Sequence, residues 1–226
     1  MKMDQKEEVE MKGMIEELIK AVRRLFNLDD LGDYLDKTTK FSYQKGLDKA
    51  EIQFNMNFVP NEQTVKDLQH SMKQNIADQG LEIISKIDGE VTRWKLNNED
   101  VPALKRRLTQ ALKSSEWDWK AKRIIRTETL RANNMGALDG ALQSPVKTRK
   151  WLDVTQDART SDICHKEHSK YGSPEEAIPI DKEFVVTVKN KTYRSQAPPF
   201  HPNCRSVLRL IQDEDWKILR KNGGES

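Results

Sequence analysis

No stretch of this sequence approaches the roughly 20 consecutive apolar residues that cross a bilayer, so no membrane partner is expected. The opening residues, Met-Lys-Met-Asp-Gln-Lys-Glu-Glu, lack the apolar core of a signal peptide, and the expected compartment of synthesis is the cytoplasm. Cysteine is scarce, with two in 226 residues. In a reducing compartment two cysteines read as thiols or metal ligands before they read as a disulfide. The enzymatic signatures are missing too: there is no glycine-rich phosphate loop, no G-x-S-x-G turn and no H-E-x-x-H pair. With no complete catalytic set the chain is expected not to be an enzyme. Apolar residues make up only 36% of it against 33% charged, and the mean hydropathy is −0.82. That balance favours an elongated, mainly helical molecule with much wetted surface, or one that covers surface against partners.

What is present is unevenly placed. Residues 1–62 carry ten Lys/Arg against thirteen Asp/Glu, whereas residues 101–131 carry nine against three. Lys105, Arg106, Arg107, Lys113, Lys120, Lys122 and Arg123 form the dense part of the second segment. Such a run can follow nucleic-acid phosphates or meet an acidic protein, or it can be a solvated helix face.

Apolar residues at three- and four-residue steps predict a helix over 8–27, from Met11 to Phe26, and a second, weaker one up to Phe54. A break follows at 55–61 around Pro60. Val65 to Trp94 reads as one long helix or a pair broken near Gly80. Asn97 to Pro102 is a helix-start signature for the segment carrying Leu104, Leu108 and Leu112. The next helix, 117–142, places Glu128 on a stripe with Ile124, Met135, Leu138 and Leu142. An unpaired carboxylate among apolar neighbours is costly, so Glu128 is expected either to pair with Arg159 or Arg205 or to reach solvent from the edge of the stripe. Arg126 lies about 200° round the same helix and is not its partner.

Beyond Pro145 the periodicity changes. Residues 148–154 read as a strand, and 157–171 as a polar loop running into one or two helical turns. Phe184–Val188 and Thr192–Ser195 flank Lys189-Asn190-Lys191 as a hairpin, and a last strand covers 204–211. The resulting class is α+β: a mainly helical N-terminal part, then a small hairpin-containing module. Its divisions are expected at 1–62, a helical stem at 63–143, the module at 144–212 and a polar, fraying tail at 213–226.

Both cysteines and three of the four histidines fall between Trp151 and Leu208, on either side of the hairpin. Cys164, His168, His201 and Cys204 would suit one tetrahedral zinc ion that staples a module too small to hold itself by core alone. A Cys164–Cys204 disulfide, or no link at all, stays open as an alternative. His165-x-Glu167 and Pro202-Asn203-Cys204 echo the zinc deaminase signature, but Asn203 interrupts the Pro-Cys pair and Leu208 stands where a further cysteine belongs.

One further pattern is specific as an ordered set. Arg126-Thr127-Glu128 late in a long helix is followed by Trp151 in a strand, then Asp157-Ala158-Arg159-Thr160, Cys164, and a closing His201-Pro202-Asn203-Cys204-Arg205. Across residues 60–210 this resembles the phage Mu protein F-like minor head protein family, also called the phage head morphogenesis domain. Members of that family often carry a second cysteine just after the first, where this chain has His168, and end in Cys-Arg-Cys, where it has Cys204-Arg205-Ser206. The resemblance implies a minor capsid protein of a tailed virus, assembled in the host cytoplasm into the virion head. Its implied partners are a portal protein, capsid or scaffold proteins, and packaged DNA. The alternatives are a zinc-dependent nucleic-acid-binding module using the basic segment and a zinc hydrolase or deaminase using His165 and Glu167.

Overall fold

A computed structural model describes residues 28–97, 99–111 and 114–222. The helix expected over 8–27 lies outside the described residues. The fold class is the expected one, helices first and small antiparallel sheets after them. Four helices lead: α1 (Leu28–Phe54), α2 (Glu62–Leu96), α3 (Val101–Ala111) and α4 (Ser114–Gln143). The C-terminal part contributes β1 (Thr148–Asp153), α5 (Asp162–Tyr171), β2 (Ile178–Pro179), β3 (Phe184–Val188), β4 (Lys191–Ser195), β5 (Val207–Gln212) and α6 (Asp213–Asn222). α2 runs unbroken through Gly80, which settles the one-or-two-helix question in favour of one. The described residues divide into two compact units, one made of 28–35 with 71–124 and the other of 36–70 with 125–222.

In the first unit the buried side chains follow the helical repeat: Met72, Ile76, Ile83, Ile87 and Trp94 along α2, Leu104 and Leu108 along α3. Asp100 starts α3 by accepting from the Ala103 N–H at 2.8 Å, and its carbonyl takes the Trp94 indole N–H at 3.0 Å. Arg107 grips Glu99 through two nitrogens, at 2.6 and 2.8 Å.

The second unit is built on a close helix crossing. Tyr43, Leu47, Ala50 and Phe54 line one face of α1, with Ala132 and Ala141 buried on α4. A Cβ on Gly46 would stand 1.9 Å from the Asn133 carbonyl oxygen, and one on Gly136 would stand 2.0 Å from that of Tyr43. The two backbones therefore touch, which only glycine permits. The Tyr43 hydroxyl donates to buried Asp139 at 2.7 Å and accepts from the Asn61 N–H at 3.0 Å. α1 ends where Asn55 turns left-handed (φ 51°), and Asn61 caps α2 through the Thr64 N–H at 3.1 Å.

Behind α4 lies the small α+β part. β1 is the centre of an antiparallel sheet ordered β2-β1-β5, with Leu152 opposite Leu208. β3 and β4 form the hairpin, and Lys189 and Asn190 both take positive φ (48° and 62°), as a two-residue type I′ loop requires. Leu152, Val154, Cys164, Tyr171, Phe184, Val186, Cys204 and Leu208 share one core with Leu138 of α4. β1 also points a lysine inward: Lys150 is fully buried and donates to the Gln196 backbone carbonyl at 2.8 Å and side-chain oxygen at 2.6 Å.

The tail expected to fray is instead helical over Asp213–Asn222. Three acidic residues in its first turn and Arg220 and Lys221 in its last suit the helix dipole. Buried Asp213 takes Arg149 at 2.6 Å, and the Arg149 guanidinium stacks 3.5 Å from the Trp216 ring. Polarity hid this helix in the sequence, because its anchors are charged.

Candidate metal centre

Two short pieces of chain build the site. Ser161 caps α5, accepting the Cys164 N–H at 3.2 Å, which sets Cys164 in the first turn. Cys164, Glu167 and Tyr171 are the buried face of that helix. The second piece is the turn His201-Pro202-Asn203-Cys204, closed by the Cys204 N–H on the His201 carbonyl at 3.1 Å, with Asn203 left-handed at φ 66°.

Helix α4 holds that turn in place. Arg126 donates to the Asn203 side-chain oxygen, and the Asn203 N–H donates to Thr127 Oγ1 at 3.3 Å. Farther in, buried Asn134 bonds three backbone groups: the carbonyls of Pro198 at 3.2 Å and Ser206 at 3.4 Å, and the Leu208 N–H at 3.0 Å. Asn134 went unnoticed in the sequence. Its only signal there was a pair of poor helix formers, Asn133-Asn134, in mid-helix.

The pieces meet so that one ligand atom each from Cys164, His201 and Cys204 lies within 4.8 Å of the other two. The two cysteines are free, buried thiols. His201 donates through Nδ1 to the Pro202 carbonyl at 2.7 Å, which turns Nε2 toward Cys164 Sγ and Ser161 Oγ, 2.9 Å from each. A backbone carbonyl on the far ring nitrogen is the usual way a metal-binding histidine is oriented. Cys164 and His201 border a crevice of about 10 Å³, room for roughly one water or ion.

Charge in this pocket is tightly linked. The Cys204 thiol's hydrogen bond, helped by His201 and Ser161, holds the Cys164 thiol well below its ordinary range against the effect of burial. Cys204, as the donor in that pair and buried as well, is pushed up. The hydrogen bond to Cys164 raises His201. Burial, with the Cys164 charge beside it, lifts Glu167 to about 8. Glu167 is wholly buried; its Oε2 accepts from Ser206 Oγ at 2.9 Å, and its Oε1 has no hydrogen-bond partner among the described residues.

His168 does not join the group. It is exposed on α5, about 65° round the helix from the centre of the Cys164–Glu167–Tyr171 stripe, so burying that stripe turns it outward. His165 is also exposed and meets Gln156.

The remaining motif residues are used on one another. Arg205 forks onto Asp157 with two bonds of 2.7 Å, which drives the Asp157 carboxyl well below the usual carboxylate range. The Arg159 backbone N–H also binds Asp157 at 2.8 Å, while its side chain is 81% exposed. The expected pairing of Glu128 with Arg159 or Arg205 is therefore corrected. Glu128 is buried, but its carboxylate takes Arg131, one turn along its own helix, at 3.0 Å. Helix α4 reaches the module through Arg126, Thr127 and Asn134 instead. Trp151 lies half-buried on β1 opposite Arg209.

In the basic segment, Arg107 meets Glu99 and Glu90, Lys120 meets Glu82 at 2.8 Å, and Arg123 lies 4.6 Å over the Trp119 ring. Arg106 and Lys122 are exposed, and Lys113 and the side chain of Lys105 lie outside the described residues. No helix of the described residues is long and apolar enough to cross a membrane. No curated protein and no solved structure matches the chain. A family model described as Phage Mu protein F like protein matches residues 61–209, more than half of it.

Proposed function

The chain belongs to the phage Mu protein F-like family, and from that premise we propose that it is a minor head protein of a tailed virus that acts in head morphogenesis beside the portal. The observation that carries this reading is how the family's ordered motif is used. Arg126 and Thr127 clamp the Asn203 turn, Arg205 forks onto Asp157, and Asp157 binds the backbone of Arg159. These residues hold one another in place, which supports a structural use of the motif. The opening beside Cys164 and His201 has room for about one small occupant and none for an organic substrate, which supports a non-enzymatic role.

The same module is proposed to hold zinc through Cys164, His201 and Cys204. Two thiolates and an imidazole are the ligand types zinc takes, and the ion would tie α5 to the closing turn. Its task would be structural: fixing the module's shape for contacts with other head proteins.

Coexpression of the full chain with its cognate portal and major capsid proteins tests the assignment. The chain should copurify with the portal complex and enter heads in few copies. Failure to bind either protein, together with tight DNA binding that weakens steeply with salt, would replace this reading with a nucleic-acid-binding one.

A further inference from the structure

Three ligands leave a zinc-like ion one short of the four that a structural site needs. His168 cannot supply the fourth, because it faces away on the exposed side of α5. Glu167, its immediate neighbour, lies on the buried side. It is three residues from Cys164, and side chains three apart on a helix point the same way. The hydroxyl of Ser206 links the two, 2.9 Å from Glu167 Oε2 and 3.8 Å from Cys164 Sγ.

Glu167 is also the residue here whose presence is hardest to explain without a cation. It is a wholly buried carboxyl with one oxygen bound to Ser206 and the other without a hydrogen-bond partner among the described residues. A buried polar atom left unmatched is costly and rarely kept. Cys164 lies across the Ser206 hydroxyl from Glu167 and Cys204 is grouped with Cys164, so the carboxyl adds to a region already rich in groups that become anions. A divalent ion answers both facts, since it neutralises the thiolates and gives the free oxygen a partner. The spacing agrees: Cys164-x-x-Glu167 on a helix and His201-x-x-Cys204 in a turn are two short pairs, the arrangement in which tetrahedral sites are assembled.

We propose that Glu167, whose carboxylate lies outside the 4.8 Å grouping of the other three ligand atoms, turns onto the ion as its fourth ligand, so that Cys164, Glu167, His201 and Cys204 form a closed two-thiolate, imidazole and carboxylate site for a zinc-like divalent ion. This rests on the metal reading given above and replaces the exposed His168 in it. A closed shell leaves no position for a reacting water and makes the ion a fastener.

Cobalt(II) titration of the full-length, metal-stripped chain tests the proposal, because cobalt reports ligand number and type in its visible and near-ultraviolet bands. The wild type should take one equivalent with tetrahedral visible bands and thiolate-to-metal charge transfer. Glu167→Gln keeps the side chain's shape and a bond to Ser206; it should weaken binding by at least about tenfold and shift the visible bands. His168→Ala should leave both unchanged. Glu167→Cys supplies a gain: the charge-transfer intensity should rise by about half, from two thiolates to three.

Wild-type binding with Glu167→Gln indistinguishable from it, or His168→Ala as damaging as Glu167→Gln, overturns the Glu167 assignment and leaves the three-ligand metal reading standing. No cobalt or zinc uptake by the wild type overturns both. Neither result bears on copurification with the portal, which tests the head-protein reading separately.

Discussion

The two units bury different kinds of side chain. Among the described residues, residues 71–124 bury as whole side chains only apolar groups such as Met72, Ile83, Ile87 and Leu108. Every buried polar or charged residue among the described ones lies in the unit formed by 36–70 and 125–222: Thr39, Ser42, Thr127, Glu128, Asn134, Asp139, Thr148, Lys150, Glu167, Ser206 and Asp213. An apolar stripe is non-directional and tolerates exchange of similar shapes. A buried polar group is held by particular partners, and losing one leaves the others stranded. The first unit should therefore respond to volume and the second to pairing.

The sharpest test of that contrast is Asn134→Leu. It fits apolar surroundings but strands the Leu208 N–H and removes the donor to two carbonyls. A loss of about 3 kcal/mol or more in urea unfolding is expected. Gly136→Ala should come close to it, because the new methyl meets the Tyr43 carbonyl oxygen at 2.0 Å and forces α1 from α4. Ile87→Val, which trims one methylene in the apolar unit, should cost only about 1 kcal/mol. If Ile87→Val equals Asn134→Leu, the distinction between the units is void.

The same contrast explains what could be read from sequence. Where burial is apolar, as along α2, three- and four-residue steps found the helix. The hairpin was legible from its two alternating strands, though the turn read as Lys189-Asn190-Lys191 is a two-residue loop, with Lys191 already in the second strand. α1 read weakly because Thr39, Ser42 and Gly46 stand among its buried positions. The site was half legible: residue chemistry pointed to Cys164, His201 and Cys204, which the fold brings together, and also to His168, which it turns outward. His168 looked the better ligand by type, and Glu167 is the one the core encloses. Glu128 misled for a related reason, since the sequence does not reveal that Arg131, one turn away, would serve it.

Metal removal gives the next effect in size. Under the zinc reading, chelation should lower the second unit's stability by about 2–3 kcal/mol when free zinc had been about a hundredfold above Kd. Cys204→Ser should abolish the difference between chelated and zinc-loaded protein. A melting curve unmoved by chelator, in protein shown to have carried zinc, would contradict a structural role for the ion.

Lys150 gives a pH signature with a definite sign. Burial holds it down at about 8, below its ordinary 10.5, despite the nearby charges of Asp181 and Glu183. Between pH 8 and 10.5 the unfolded chain holds the proton that the folded chain has released, so this group's contribution to stability rises with pH across that window. The gain should be about 1–3 kcal/mol, read as the difference between wild type and Lys150→Met, which cancels other groups titrating in the same range. A difference that is flat or falls with pH would show that the lysine remains charged through other contacts.

The smallest effect belongs to the apolar unit's surface. Arg107 makes the most elaborate ion pair there, forking onto Glu99 and reaching Glu90 at 3.3 Å. Lysine cannot reproduce the fork, so Arg107→Lys removes the geometry while keeping the charge. The group is only partly buried, so water and salt replace part of what is lost. The melting midpoint should move by less than about 2 °C, and less still at high salt. A larger drop that salt does not reduce would mean that this unit, too, depends on a specific polar pairing, and the contrast would then be one of degree.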